Sequence, residues 1–191
     1  MTESTLIEDK SFENHDYSET IITKKEFYNC NFLKCNFSNT NLSDSEFVDC
    51  DFNECNFTMA QIKNTGFNNV SFVNCKLMGL DFSKCNSALF SVSFNNSNLD
   101  YTSFTKKKMK KTKFSNCSLK QTDFEEADLS QATFENCNLQ DANFMRCILE
   151  KTDFSTAKNI TLDPEQNKLK QAKFSVEGAL SLLSKYKIEI G

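Results

Sequence analysis

Every fifth residue of this chain is apolar, and that period limits the possible folds more than any other feature. The unit is plainest from residue 117, where the chain reads CSLKQ TDFEE ADLSQ ATFEN CNLQD ANFMR CILEK TDFST, with Leu or Phe third. This central position is apolar in 16 consecutive units from residue 7 to residue 82. After a two-residue phase slip within residues 83–88 it is apolar in 14 more, from residue 89 to residue 154. Neither regular element has such a period: a five-residue step overshoots a helical turn by about 140°, and an odd step along a strand points the side chain to the other face. Each unit must therefore turn the chain by a fixed angle. Central residues match in identity at a spacing of twenty, as in Phe27, Phe47 and Phe67, in Phe94, Phe114, Phe134 and Phe154, and in Leu99, Leu119 and Leu139. Four units per coil, each turning about 90°, explain that match, since a repeat of this kind buries its apolar face by stacking on its neighbours. A ten-residue coil would be too tight to hold inward Phe rings.

The position two before the centre is small. It is occupied by Cys30, Cys35, Thr40, Ser45, Cys50 and Cys55 early on, and by Cys117, Thr122, Ala127, Ala132 and Cys137 later. Large centre and small partner fill one narrow square section. All nine cysteines fall in this slot, counting Cys85 in the frame leaving the slip. They are expected to be reduced, buried and small rather than catalytic or metal-binding, because zinc would want His or paired turn cysteines. Only four Gly and one Pro serve all these turns. Asn and Asp immediately before the centre, such as Asn36, Asn41, Asp123 and Asp128, are expected to hold the turns by local hydrogen bonds instead.

The unit A/C-D/N-L/F-x-x resembles the pentapeptide-repeat family across nearly all of residues 7–158. The resemblance implies an all-β fold, a right-handed quadrilateral β-helix, over residues 1–158. Residues 159–191 then form a C-terminal capping and dimerisation segment with a short helix, for which Ser175 is the expected N-cap. Leu180, Leu182, Leu183 and Tyr186 make an apolar face there, followed by Ile188 and Ile190, and a bare solenoid end needs covering. This tail is similar to the ends of Qnr-type and microcin-immunity-type members. Those dimerise tail to tail, imitate a DNA duplex and protect DNA gyrase from poisons. By that resemblance the partner is DNA gyrase or topoisomerase IV, the protein is a homodimer, and quinolones or peptide toxins are the relevant poisons. Unlike many Qnr members, the chain has only the two-residue slip where those carry projecting loops.

Charge is segregated along the chain. Residues 1–100 hold 7 basic and 14 acidic side chains, a net of −7, whereas residues 101–160 hold 10 basic and 8 acidic, a net of +2. An acidic rod suits a partner that ordinarily grips phosphates, and Asp44, Glu46, Asp49, Asp51 and Glu54 are the candidate contacts. Lys106, Lys108, Lys110 and Lys111 form a candidate basic patch. Lys107 in the same run, like Lys25 earlier, occupies an inward slot, so either the coil bulges there or the amine snorkels to solvent.

Catalysis is not expected. The faces of a thin solenoid are convex, the only histidine, His15, lies in the first units, and no nucleophile can be paired with a base. No cofactor, metal or direct nucleic-acid contact is expected either. MTESTLIEDK has no basic stretch leading into an apolar run, and no segment approaches the ~20 apolar residues of a membrane helix, which points to a cytoplasmic protein. The alternative to topoisomerase binding is a solenoid scaffold for an unrelated protein partner.

Overall fold

The computed structural model describes residues 5–189 as one stack of four-sided coils. Twelve short strands carry two of the four sides. They are β1 (Thr5–Glu8), β2 (Ser11–Glu13), β3 (Lys25–Tyr28), β4 (Asn31–Leu33), β5 (Glu46–Val48), β6 (Asp51–Asn53), β7 (Gly66–Val73), β8 (Phe90–Asn95), β9 (Lys113–Ser115), β10 (Thr133–Glu135), β11 (Asp153–Phe154) and β12 (Lys173–Phe174). Every pairing is parallel, and before the slip each joins residues twenty apart: Phe27 to Phe47, Phe47 to Phe67, Phe32 to Phe52 and Phe52 to Phe72. The other two sides are held by single parallel bridges at the same spacing, such as Asn36 to Asn56 and Asn41 to Gln61. We number the sides by the centres they carry in one coil: first Phe27, second Phe32, third Phe37, fourth Leu42.

Inside, the centres form four ladders. Rings on one side stack, Phe27 on Phe47 at 4.9 Å and Phe114 on Phe134 at 4.8 Å, while rings on adjacent sides meet edge to face, as Phe52 does with Phe57 at 4.9 Å and 84°. Both arrangements suit the aromatic quadrupole. The small slots do more than leave room. Ser45 donates its hydroxyl to the Ile22 carbonyl at 2.9 Å, Thr122 to Leu99 at 3.0 Å, and the Cys50 thiol reaches the Phe27 carbonyl at 3.4 Å. A slot side chain thus satisfies a carbonyl of the preceding coil that would otherwise face an apolar lumen. All nine cysteines are free and buried, and burial pushes the Cys50, Cys85 and Cys147 thiols up to about 12.

The corners correct the sequence reading of the turns. The expected local bonds are present: Asn36, Asn41 and Asp128 each accept from the backbone N–H two residues on, at 3.0–3.2 Å. The left-handed conformation that the glycine shortage made difficult falls elsewhere, two residues after the centre. It is adopted by Asp9 (φ 52°), Asn39 (φ 55°), Met59 (φ 59°), Tyr101 (φ 62°) and almost every equivalent residue through Gln171 (φ 60°). Only one of these corners, Gly79 (φ 72°), is a glycine. Asn tolerates this region well, but the long side chains bear a steric cost that the stacked coils must offset.

The slip is a bulge at the corner between the fourth and first sides. A 3-10 turn, Phe82–Lys84, starts it, pairing between β7 and β8 shifts there, and across it the spacing becomes 22, as in Phe72 to Phe94 and Asp81 to Ser103. Twenty is restored from Ser93 to Lys113 onward. Coils continue past residue 158, with Ile148 bridging Lys168 and β11 pairing with β12. A six-residue helix, α1 (Val176–Ser181), then lies over the end. Ser175 caps it by accepting from the Gly178 N–H at 3.0 Å, and Ser181 donates to the Ile160 carbonyl at 2.7 Å.

Candidate interaction faces

The five acidic candidates lie on one coil but not on one side. Glu46 and Asp51 project from the middle of the first and second sides, while Asp44, Asp49 and Glu54 sit at the corners flanking those sides, each with positive φ. The next coils tie several of them down. Asn64 donates to Asp44 at 3.0 Å, Asn69 to Asp49 at 2.6 Å, Ser71 to Asp51, and Lys34 approaches Glu54 at 3.9 Å. Their carboxylates are therefore held in fixed positions on the surface.

The lysine run splits. Lys107 is 1% exposed, and its amine turns inward to the bulge of the preceding coil, donating to the Cys85 carbonyl at 2.6 Å and to the Ser87 hydroxyl at 3.0 Å. It lies over the Phe90 ring at 4.9 Å, and burial lowers its pKa. The amine does not snorkel to solvent, because the two extra residues of the slip open a polar recess directly above it. Lys25 is half-buried and bonds Thr5 at 2.9 Å. Lys106, at a fourth-side corner, faces Glu126 at 3.8 Å; Lys110 pairs with Asp128 at 3.3 Å; Lys108 and Lys111 are exposed on the first side and its corner.

In the tail, Leu182 packs against the chain's own core, while Leu180, Leu183, Tyr186 and Ile188 stay exposed. Ile190 lies outside the described residues. A charged clasp that the sequence reading missed fastens this segment. Lys185 bonds Asp163 at 2.6 Å and Glu165 at 2.7 Å, and the Tyr186 hydroxyl donates to Glu165 at 2.7 Å. The only signal for it was an acidic D-P-E facing a K-Y some twenty residues on, one coil apart. Both carboxyls are held below their usual range by the Lys185 ammonium. His15 stacks on Tyr17 at 5.7 Å, with Nδ1 3.0 Å from the Glu13 carbonyl oxygen. Among the described residues no group of three or more His, Cys, Asp or Glu is placed to hold a metal, and no helix is long and apolar enough to cross a membrane.

Stacked square coils with stacked inward Phe and small hydroxyl or thiol slots define a pentapeptide solenoid. Family models agree: "Pentapeptide repeat region" matches residues 87–166 and "Pentapeptide repeats (8 copies)" matches residues 26–58, together more than half of the sequence. The chain belongs to the pentapeptide-repeat family. Among solved structures it is similar to a trypsin-treated variant of QnrB1, a plasmid-mediated fluoroquinolone resistance protein, with 22% identity, 98% of each chain covered and a TM-score of 0.59. HetL, a pentapeptide repeat protein involved in heterocyst differentiation regulation in the cyanobacterium Nostoc, matches at 17% identity over 91% of this chain and 88% of HetL, with a TM-score of 0.42. No curated protein sequence matches the chain.

Proposed function

We propose that this protein is a rod-shaped DNA mimic of the cytoplasm that binds a type II topoisomerase, DNA gyrase or topoisomerase IV, and protects it from, or modulates, poisoning by quinolones or peptide toxins. The observation that carries this reading is the run of acidic side chains on successive coils of the first side and its corner: Glu8, Asp9, Glu26, Glu46 and Asp49. Coils repeat every ~4.8 Å, comparable to the ~3.4 Å phosphate spacing along one DNA strand. A cleft built to hold a duplex backbone would meet carboxylates where it expects phosphates. Asp44, Asp51 and Glu54 extend the acidic surface around the same coil. The fold that the chain shares with QnrB1 supports the reading, and the exposed Leu180, Leu183, Tyr186 and Ile188 offer a surface for a homodimer joined at the C-terminal segment. The deciding experiment is a supercoiling assay with purified gyrase, titrating the protein with and without ciprofloxacin. Inhibition or drug rescue at micromolar protein is expected. Absence of both effects with gyrase and with topoisomerase IV would favour a scaffold for some other protein.

A further inference from the structure

The first side changes sign at the bulge. Before it lie Glu8, Asp9, Glu26, Glu46 and Asp49; after it lie Lys108, Lys110, Lys111, Lys151, Lys168 and Lys170, opposed only by Asp128 and Glu150. These charges are largely left unneutralised within the chain. Among the described residues, Lys110 with Asp128 is the only ion pair on this side, whereas the fourth side pairs Lys84 with Asp81, Lys106 with Glu126, and Arg146 with both Glu125 and Glu126. Between the two charged halves the first side carries partly exposed apolar groups, Tyr28, Val48, Leu89 and Phe90. The bulge that bears Phe90 is the middle step of the first-side ladder, with four centres before it (Ile7, Phe27, Phe47, Phe67) and four after it (Met109, Leu129, Leu149, Leu169).

We propose that this side is a self-pairing surface on which a second copy of the chain lies antiparallel, related by a two-fold axis perpendicular to the rods near the bulge. In that arrangement the step holding Glu8 and Asp9 opposes the step holding Lys168 and Lys170. The Glu26 and Tyr28 step meets the Ile148 and Lys151 step, and the two copies of Phe90 meet near the axis. A two-fold contact needs one surface complementary to itself, and a side acidic at one end, basic at the other and apolar between meets that requirement. Eight steps of ~4.8 Å and a three-residue width give roughly 400–500 Å² per copy, at the low end for specific association. The pairing is therefore weak, of micromolar strength, and governed by charge. It goes beyond the topoisomerase reading and constrains it, because a partner that takes the acidic half must first displace the second copy.

Sedimentation velocity of the full chain, with carbodiimide coupling and peptide mapping, tests this. At about 0.05 M salt, association through this side should be at least roughly tenfold stronger than at about 0.5 M, and coupling should join Lys168 or Lys170 to Glu8 or Asp9. Those residues stand about 38 Å apart in one rod, so the link can only be between copies. A variant with Lys108→Glu, Lys168→Glu and Lys170→Glu should lose the salt-sensitive association, as should one with Glu8→Lys, Glu26→Lys and Glu46→Lys. Mixing the two should restore it as a one-to-one complex. Tail-to-tail contact through the apolar segment would persist in high salt and in every variant, so it is distinguished. Absence of the coupled peptides, or failure of the mixture to associate, would overturn the proposal. Steep salt-dependent binding of duplex DNA lost in the lysine variant, with no self-association, would assign the basic half to a polyanion instead.

Discussion

The Lys107 amine donates to the Cys85 carbonyl at 2.6 Å across the two-residue insertion, so the one irregularity in the solenoid is plugged by the one lysine fully buried in it. Removing the amine leaves that carbonyl without its donor and opens a void beneath Phe90. Lys107→Ala should lower unfolding free energy by about 2–4 kcal/mol in chemical denaturation. Lys106→Ala, on an exposed pair, should change it by no more than about 0.5 kcal/mol. Equal effects of the two would show that the plug contributes nothing.

Alkali should unfold the rod through its thiols. Cys50, Cys85 and Cys147 have folded pKa values raised to about 12 by burial, against about 8.5 for an unfolded cysteine. The unfolded chain therefore releases these protons first. Stability is complete below about 8.5 and declines as pH rises toward 12. Cys50→Thr keeps a slot donor and removes one titrating group, so it should shift the alkaline melting midpoint upward. A midpoint unchanged in that variant would contradict the account.

The C-terminal clasp should open in acid. Lys185 holds the carboxyls of Asp163 and Glu165 below their usual range. Their contribution is present above the unfolded values near 4 and is lost as pH falls through the lower folded values. Amide exchange in α1 should then accelerate before the central coils respond, and Lys185→Ala should reproduce that acceleration at neutral pH. Simultaneous exchange throughout the molecule would rule out a separable clasp.

Corners supply a paired test of backbone strain. Tyr101 is exposed at φ 62°, and Tyr101→Asn should stabilise the protein by about 0.5–1 kcal/mol. One coil earlier in the same corner column, Gly79→Ala should do the reverse, since a Cβ there would fall 2.6 Å from the Met59 sulfur and φ is 72°. Thermal melts of both variants suffice, and a loss of stability in Tyr101→Asn would refute the strain argument.

The coil was legible without coordinates because its cause is local and repeats: a large apolar centre and a small slot recur at five, and their identities recur at twenty. For the same reason the free cysteines, the Ser175 cap and the site of the slip could all be read from residue order. Leu169 and Phe174 could also have been found, since they continue the columns of Leu149 and Phe154 at twenty, but the intervening ITLDPEQN hides the rhythm. Other features depended on which coil lies above which. Lys107 looked like a misfit until the bulge was seen to sit one coil away with a carbonyl aimed at its amine. The acidic candidates looked clustered, yet a chain that turns 90° every five residues spreads neighbours in sequence around the rod and gathers residues twenty apart onto one side. Stacking of distant coils, rather than sequence proximity, therefore decided which charges share a surface, and it divided the first side into an acidic half and a basic half.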